Sequence, residues 1–171
     1  MGAIMKVLYM VRHAKSTWDE AYTTDFDRPL NKRGRHDAPM MGAVLRERGC
    51  APGIIRSSPA VRAITTARYL AEALGFPLAD IETLDHMYGA SDRGLLAVVH
   101  ALPDEVSEAM IVGHNPGMHM LAETLVPLDI ANLPTCGIVA AEFGVQRWAE
   151  IAPMQGALRF YEHPRAHAEK D

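Results

Sequence analysis

Two arginines and two histidines stand where short apolar runs of the sequence end. Arg12 and His13 directly follow the run "VLYMV", and His114 directly follows "AMIVG". Arg62 lies shortly after the serine pair that ends "GIIRSS". A guanidinium group carries forked N–H donors that match phosphate oxygens, and a neutral imidazole can attack phosphorus and hold the phosphoryl group covalently. These residue types in this pattern predict a site for phosphoryl transfer.

The four side chains would meet at one edge of the sheet if the strands are parallel, because open α/β sheets bind ligands beyond the carboxyl ends of their strands. Two guanidiniums and two imidazoles would repel one another as cations, so we expect the site to bind an anion such as a dianionic phosphoryl group. Helices predicted after Ser58 and Asn115 would add backbone N–H donors. The cluster already carries positive charge, and His114 and His119 lack the spacing of metal ligands on one helical face. We therefore expect no metal and no cofactor.

Short β-type runs alternate with helical segments, which is typical of an α/β domain with a largely parallel sheet. Asn31 and Ser58 are predicted to cap the first two helices, and Pro39 should kink the first one or mark its start. "GIVAAEF" and "WAEIAPM" are expected to pair as a closing hairpin. We expect one domain over residues 1–160 and a frayed polar tail over 161–171. The other predicted elements are strands at about 5–11, 53–58 and 109–113, an edge strand in "DIETLD", and helices at about 31–48, 58–75, 92–102 and 115–126.

The composition is ordinary for a soluble globular protein, and it narrows the classes of partner. The chain has 171 residues, of which 49% are apolar and 22% charged, with a net charge of −4. No overall basic field is present to hold nucleic acid. The apolar stretches fall far short of the roughly 20 residues that span a bilayer, and the start "MGAIMK" lacks the core of a signal peptide. With two cysteines and no CxxC pattern, we expect a cytoplasmic protein without membrane or nucleic-acid partners.

Three motifs, taken together, resemble those of the histidine phosphatase superfamily, which includes the cofactor-dependent phosphoglycerate mutases. They are "RHAKSTW", "SSPAVRAITTA" and "IVGHNPGM", and they occur in the order that the family shows. The segment "DFDRPLNKRGRHDA" and the short chain are similar to the small SixA-type phosphohistidine phosphatases. The resemblance covers residues 5 to about 126. It implies a three-layer α/β/α sandwich with a mostly parallel six-stranded sheet that carries an antiparallel strand, as in the mutases.

The resemblance also implies roles for particular residues. His13 would be the nucleophile that becomes phosphorylated, and Arg12, Arg62 and His114 would hold the phosphoryl oxygens. Ser16 stands at a position that can contribute to substrate binding in longer members of the family.

The sequence departs from the family pattern at several positions. Ala14 replaces the usual Gly, Lys15 stands where the mutases often carry Glu, and Asp19 stands where they carry a phosphate-binding Asn. We exclude Asp19 from the site because a carboxylate would repel phosphate. Asp85 occupies the place of the family's proton-donating Glu, one methylene shorter. It could protonate a leaving alkoxide, whereas an imidazole leaving group needs less acid assistance.

The leading hypothesis is a metal-independent phosphatase that acts through phospho-His13 on phosphohistidine of a protein. One alternative is a phosphomonoesterase for a small metabolite such as a sugar or nucleotide phosphate. Another is a phosphate-binding module without turnover. The oligomeric state and the closure of the loop over residues 17–30 stay open, as does whether Trp18 and Tyr22 pack that loop or face substrate.

Overall fold

The computed structural model describes residues 5–19 and 24–168, and its centre is one six-stranded sheet. The strand order is β3-β2-β4-β1-β5-β6. Strands β1 to β4 pair in parallel, while β5 runs antiparallel to both of its neighbours, β1 and β6. The expected sheet, mostly parallel with one reversed strand, is thus confirmed. The strands are β1 (Lys6–Arg12), β2 (Ile54–Ser57), β3 (Glu82–Thr83), β4 (Glu108–Gly113), β5 (Ile138–Phe143) and β6 (Ala157–Glu162).

Helices cover both faces of the sheet, so the molecule has the three layers that the resemblance implied. Along β1, the side chains of Val7, Tyr9 and Val11 join the core beneath α1 and α2, while Leu8 and Met10 join the core beneath α3 and α4. This alternation follows from the two-residue period of a strand that is buried on both faces. No helix in the described ranges is long and apolar enough to cross a membrane. The helices are α1 (Lys32–Glu47), α2 (Val61–Leu74), α3 (Asp92–His100) and α4 (Gly117–Leu125).

Local signals set the start of α1 but not that of α2. The side chain of Asn31 accepts a hydrogen bond from the Gly34 amide at 2.9 Å, as a helix cap does. Pro39 lies inside α1 and does not mark its start. Ser58 does not cap α2, because that helix begins at Val61 and the Ser58 hydroxyl is turned to the site described below.

The predicted closing hairpin was wrong in its second strand. β5 pairs with β6 (Ala157–Glu162), whereas the segment from Trp148 to Glu150 forms a 3₁₀ turn. Trp148 is fully buried, and its indole N–H donates to the Val106 carbonyl at 3.0 Å. The apolar residues of this segment therefore anchor a turn in the core and do not alternate along a strand.

The residues expected to form a frayed tail are ordered as far as the described part of the chain reaches. β6 continues to Glu162, two residues beyond the boundary expected at 160, and a 3₁₀ turn covers Pro164–His167. The Glu162 carboxylate accepts hydrogen bonds from Arg48 and contacts His167. These contacts tie the C-terminal segment to the end of α1.

Candidate active site

The parallel register of β1 and β4 brings the two predicted histidines together. Arg12 at the end of β1 pairs with Gly113 at the end of β4, so the next residues, His13 and His114, leave the sheet side by side. The His13 amide donates to the Gly113 carbonyl at 3.0 Å, and the two imidazole centroids lie 5.1 Å apart. The convergence expected from the strand ends is therefore present in the fold.

The position of α1 depends on a close approach to the segment that follows His13. A Cβ atom added at Gly34 would lie 2.1 Å from the carbonyl oxygen of Lys15. The Asn31 amide also donates to that carbonyl, at 3.0 Å. From the other side, the hydroxyl of Thr66 on α2 accepts the Ala14 amide at 2.9 Å. The backbone around His13 is thus held by α1 and α2 together.

The imidazole of His13 is neutral and has a defined tautomer. Its Nδ1 lies 2.7 Å from the Ala14 carbonyl, which can only accept, so Nδ1 carries the hydrogen and Nε2 carries the lone pair. The residue is only 7% exposed. Burial, reinforced by the neighbouring His114 ring and by the positive charges of Arg62 and Arg12, lowers the His13 pKa to about 3. At neutral pH Nε2 of the ring therefore carries no proton and keeps its lone pair.

His114 is held by a serine that sequence reasoning had read only as a helix cap. Its Nε2 lies 2.8 Å from the Ser58 hydroxyl, which itself accepts the Ala60 amide at 3.2 Å. Burial, followed by the charge of Arg62, lowers the His114 pKa to about 4. When the serine hydroxyl donates to Nε2, the hydrogen of the neutral ring resides on Nδ1. Nδ1 is buried without a protein partner, so the ring can offer a hydrogen bond to an acceptor in the site.

Both predicted arginines carry a donor that the protein leaves unused. Arg12 donates from Nη1 to the Leu133 carbonyl at 3.0 Å, and Arg62 donates from both Nη atoms to Asp25. The Nε atoms of both arginines are buried without a hydrogen-bond partner. Among the described residues, the only other such side-chain atoms are Nε of Arg28 and Nδ1 of His114. Unpaired buried donors are costly, and a phosphoryl group, whose oxygens only accept, would satisfy donors of this kind.

Sequence reasoning missed Asp25 and Tyr88. One carboxylate oxygen of Asp25 accepts from the Tyr88 hydroxyl at 2.6 Å and from Arg62 at 3.0 Å, and the other lies 3.2 Å from Nε of Arg28. The hydrogen bond from Tyr88, reinforced by the two arginines, lowers the Asp25 pKa. The Tyr88 ring also packs edge-on against the His114 ring, with centroids 5.7 Å apart. Asp25 stands in the segment "DFDRPLNKRGRHDA", but nothing in the spacing of Asp25 and Tyr88 along the chain predicts this contact.

Among the described contacts, the side chains of Ser16, Asp85 and Trp18 form no hydrogen bond with Arg12, His13, Arg62 or His114. Ser16 is buried and forms a backbone bridge with Leu30. Asp85 is exposed and makes no side-chain hydrogen bond or ion pair within the described residues. Trp18 is 76% exposed, and its ring lies 3.6 Å from the Arg28 guanidinium. Tyr22 lies outside the described residues.

The part of the chain that the structure describes contains no group of side chains arranged to bind a metal ion. Across residues 5–19 and 24–168, no three His, Cys, Asp or Glu side chains are grouped so that they could hold an ion. The metal-free mechanism stays a prediction, which a chelator experiment can test.

Comparison with known proteins places this geometry in a family. The model of the histidine phosphatase superfamily, branch 1, matches residues 8–107. An uncharacterized chloroplastic protein of Arabidopsis thaliana is 31% identical over 163 residues, which cover 90% of this chain and 74% of that protein. The structure of a proposed phosphohistidine phosphatase SixA from Agrobacterium tumefaciens is 29% identical, with a TM-score of 0.79 over 93% of this chain and 98% of that one.

A second solved structure supports the fold. The protein histidine phosphatase SixA in complex with tungstate is 21% identical and gives a TM-score of 0.78 over 95% of this chain and 99% of that one. The family match covers more than half of the chain and includes the first histidine motif and the arginine motif. The chain therefore belongs to branch 1 of the histidine phosphatase superfamily and is a phosphatase hydrolase with a histidine nucleophile.

Proposed function

We propose that this enzyme removes the phosphoryl group from phosphohistidine on a protein, through a covalent intermediate on His13. The observation that carries the assignment of the nucleophile is the state of the His13 ring. It is neutral, its Nδ1–H is held by the Ala14 carbonyl, and its ring adjoins that of His114. This arrangement leaves Nε2 with a free electron pair, and Arg12 and Arg62 lie close enough to lower the His13 pKa.

In the first step, Nε2 of His13 attacks phosphorus. The Nε2–P bond forms while the P–N bond of the substrate breaks, and the departing imidazole takes one proton from solvent. Positive charge develops on the His13 ring, and the Ala14 carbonyl stabilises it by accepting the Nδ1–H. Arg12, Arg62 and His114 hold the equatorial oxygens, so the protein contributes alignment and charge stabilisation.

In the second step, water attacks the phosphorus of phospho-His13. A P–O bond forms, the P–Nε2 bond breaks, and the bonding pair returns to Nε2. Phosphate leaves with the hydrogens of the water and releases one proton to solvent, which balances the proton taken up earlier. The low pKa of His13 favours this step because a weakly basic imidazole is a good leaving group.

The state of the carboxyl groups near the site favours a substrate that releases a nitrogen leaving group over one that releases an alkoxide. Asp25 is held ionised by Tyr88 and the arginines, so it has no proton to give at neutral pH. Asp85 is exposed, and its side chain makes no hydrogen bond or ion pair within the described residues. An alkoxide leaving group needs a positioned acid far more than an imidazole does. The similarity to the proposed SixA from Agrobacterium tumefaciens supports the same substrate class.

The short connection between β2 and α2 also supports a substrate on a protein surface. Between β2 and α2 the chain has only Ser58, Pro59 and Ala60, which leaves no length for a lid. A phosphorylated side chain on a folded partner can approach an open site, whereas small metabolites are commonly enclosed when they react.

The test is a comparison of kcat/KM for a phosphohistidine protein, a phosphoserine peptide and a panel of sugar and nucleotide phosphates, with and without chelator. We expect the highest value for phosphohistidine and no effect of chelator. A preference for a sugar or nucleotide phosphate would instead establish the small-metabolite phosphomonoesterase. Loss of turnover with chelator would refute the metal-free mechanism. Binding of phosphate without any turnover would show a phosphate-binding module.

His13→Ala tests the nucleophile directly. The variant should lose turnover and also the acid-labile, base-stable phosphoenzyme that is trapped by rapid denaturation in alkali. His86→Ala is the matched control, because His86 is exposed and outside the cluster. A His13→Ala protein that still forms this phosphoenzyme would overturn the assignment.

A further inference from the structure

We propose that Asp25 is a positioning residue that grips one edge of the Arg62 guanidinium and so presents another edge to the phosphoryl group. The proposal rests on the proposed function, because it assumes that Arg62 binds the transferred group. Asp25 itself would touch neither the phosphorus nor the attacking nitrogen.

The hydrogen bonds of Arg62 show which edge of its guanidinium Asp25 occupies. Nη1 donates to the Asp25 backbone carbonyl at 2.6 Å, and Nη2 donates to the Asp25 carboxylate at 3.0 Å. One residue therefore accepts from both terminal nitrogens of the planar fork. The adjacent edge, formed by Nε–H and the second hydrogen of Nη2, is the one that matches two oxygens of a phosphate. Nε on that edge is buried and has no protein partner.

The charge on Asp25 keeps Arg62 in place at the end of a buried side chain. The Arg62 side chain is 7% exposed, and that of Asp25 is 50% exposed. A guanidinium in such surroundings needs a partner, because an unpaired buried charge is strongly destabilising. The carboxylate is ionised under working conditions, because Tyr88 and the arginines lower the Asp25 pKa.

Two further contacts of Asp25, together with a ring contact of the neighbouring Phe26, anchor the carboxylate, so it can in turn hold the arginine. The Tyr88 hydroxyl donates to the oxygen that Arg62 uses, and Nε of Arg28 lies 3.2 Å from the other oxygen. Phe26, the next residue, packs edge-on against the Tyr88 ring at 5.3 Å between centroids. Since the Tyr88 ring also touches His114, the turn that carries Asp25 connects two of the groups proposed to bind phosphoryl oxygens.

A competing role for the same contacts predicts the opposite effect of removing the Asp25 carboxylate. A carboxylate on Arg62 could be a resident anion that must leave before the phosphoryl group binds. Removing it would then tighten oxyanion binding and speed turnover. Removing a positioning residue would weaken both, because the guanidinium would lose its orientation.

The experiment compares Asp25→Ala and Asp25→Asn with Asp27→Ala. Asp27 lies on the same 3₁₀ turn, and Asp27→Ala removes the same charge as Asp25→Ala. The Asp27 carboxylate accepts only from the Thr24 hydroxyl among the contacts that the structure describes. We measure kcat and KM with an aryl phosphate, the Kd for tungstate, and thermal unfolding. For Asp25→Ala we expect a loss in kcat/KM of about 100-fold, the size that misplacing a reacting group by about 1 Å produces.

The other variants sharpen this expectation. Asp25→Asn keeps a side-chain oxygen that can accept from Nη2 of Arg62, which Asp25→Ala lacks, so it should recover about tenfold of the loss, a difference of about 1.4 kcal/mol. Asp27→Ala should stay within about twofold of the wild-type enzyme, since surface substitutions have small effects. Equal losses in the two alanine variants would refute the proposal, as would tighter tungstate binding by Asp25→Ala.

A double-mutant cycle separates positioning from a general structural effect. In an Arg62→Ala background, Asp25→Ala should cost little further activity, because the group that it orients is gone. A purely structural role for Asp25 would give the same fold loss in both backgrounds, and that result would overturn the proposal. If the wild-type protein shows no turnover, the proposed function fails. The tungstate Kd then still tests whether Asp25 positions Arg62, so the two failures are distinguishable.

Discussion

The buried histidines should make the stability of this protein fall as the pH is lowered from 8 to 5. The pKa of His13 is about 3 and that of His114 is about 4, against an ordinary value of 6.5. Between pH 6.5 and 4 the unfolded chain therefore binds protons that the folded state does not. Stability is greatest above pH 6.5 and is lost as the pH falls towards the folded pKa values.

The loss of stability at pH 5 follows from the histidine pKa in the unfolded chain alone, because the pKa values of both histidines in the folded state lie below pH 5. A difference of 1.5 pH units at about 1.4 kcal/mol per unit gives about 2 kcal/mol for each histidine. His13 and His114 together should then cost about 4 kcal/mol between pH 8 and pH 5, a large share of the stability of a typical domain.

The assay is urea denaturation at four pH values between 5 and 8, in buffers without phosphate, since an oxyanion bound in the site would itself stabilise the fold. His13→Gln and His114→Gln should each reduce the loss on acidification by about 2 kcal/mol, and the double variant by about 4 kcal/mol. His86→Gln, at an exposed position, is the matched control. If the stability of His13→Gln depends on pH in the same way as that of the wild-type protein, the conclusion that His13 is buried in its neutral form is refuted.

Two further substitutions test the supports of the site. Ser58→Ala removes the hydroxyl beside Nε2 of His114. It should lower kcat/KM for an aryl phosphate by about tenfold, which corresponds to the loss of one such hydrogen bond. Unchanged kinetics would show that the serine does not orient the ring. Gly34→Ala places a methyl group 2.1 Å from the Lys15 carbonyl and should cost about 1 to 3 kcal/mol in urea denaturation. Gly94→Ala, where the nearest atom is 3.5 Å away, is its control, and equal stability of the two variants would show that the approach of α1 is not tight.

Much of the fold was predictable because its signals are local. Asn31 caps α1, and Gly49 beyond its end has the positive φ of 75° that glycine adopts readily. The apolar runs before His13 and His114 are strands in a parallel pair, as their β-type composition indicated. A helix cap and a run of apolar residues are set by neighbours in the sequence, so these patterns carried reliable information.

The mistakes arose where distant contacts decide the structure. The segment from Trp148 has the apolar content of a strand, yet Trp148 inserts into the core, where it meets Val106 and Lys6. The end of β6 looked like a polar tail, but Glu162 pairs with Arg48, which is far away in the sequence. A polar residue at a chain end shows no local sign of such a partner.

The sequence by itself determined the chemistry that this protein can perform, because the residue types and their places after strand ends are written in it. Arg12, His13, Arg62 and His114 were all named from those places alone. The tertiary structure decided the protonation state and the hydrogen-bond partners of these side chains. Burial sets the neutral form of both rings, the Ala14 carbonyl sets which nitrogen of His13 is free, and Asp25 reaches Arg62 across 37 positions of the chain. Desolvation and hydrogen bonds between distant segments exist only after the chain has packed, so only the folded molecule reveals them.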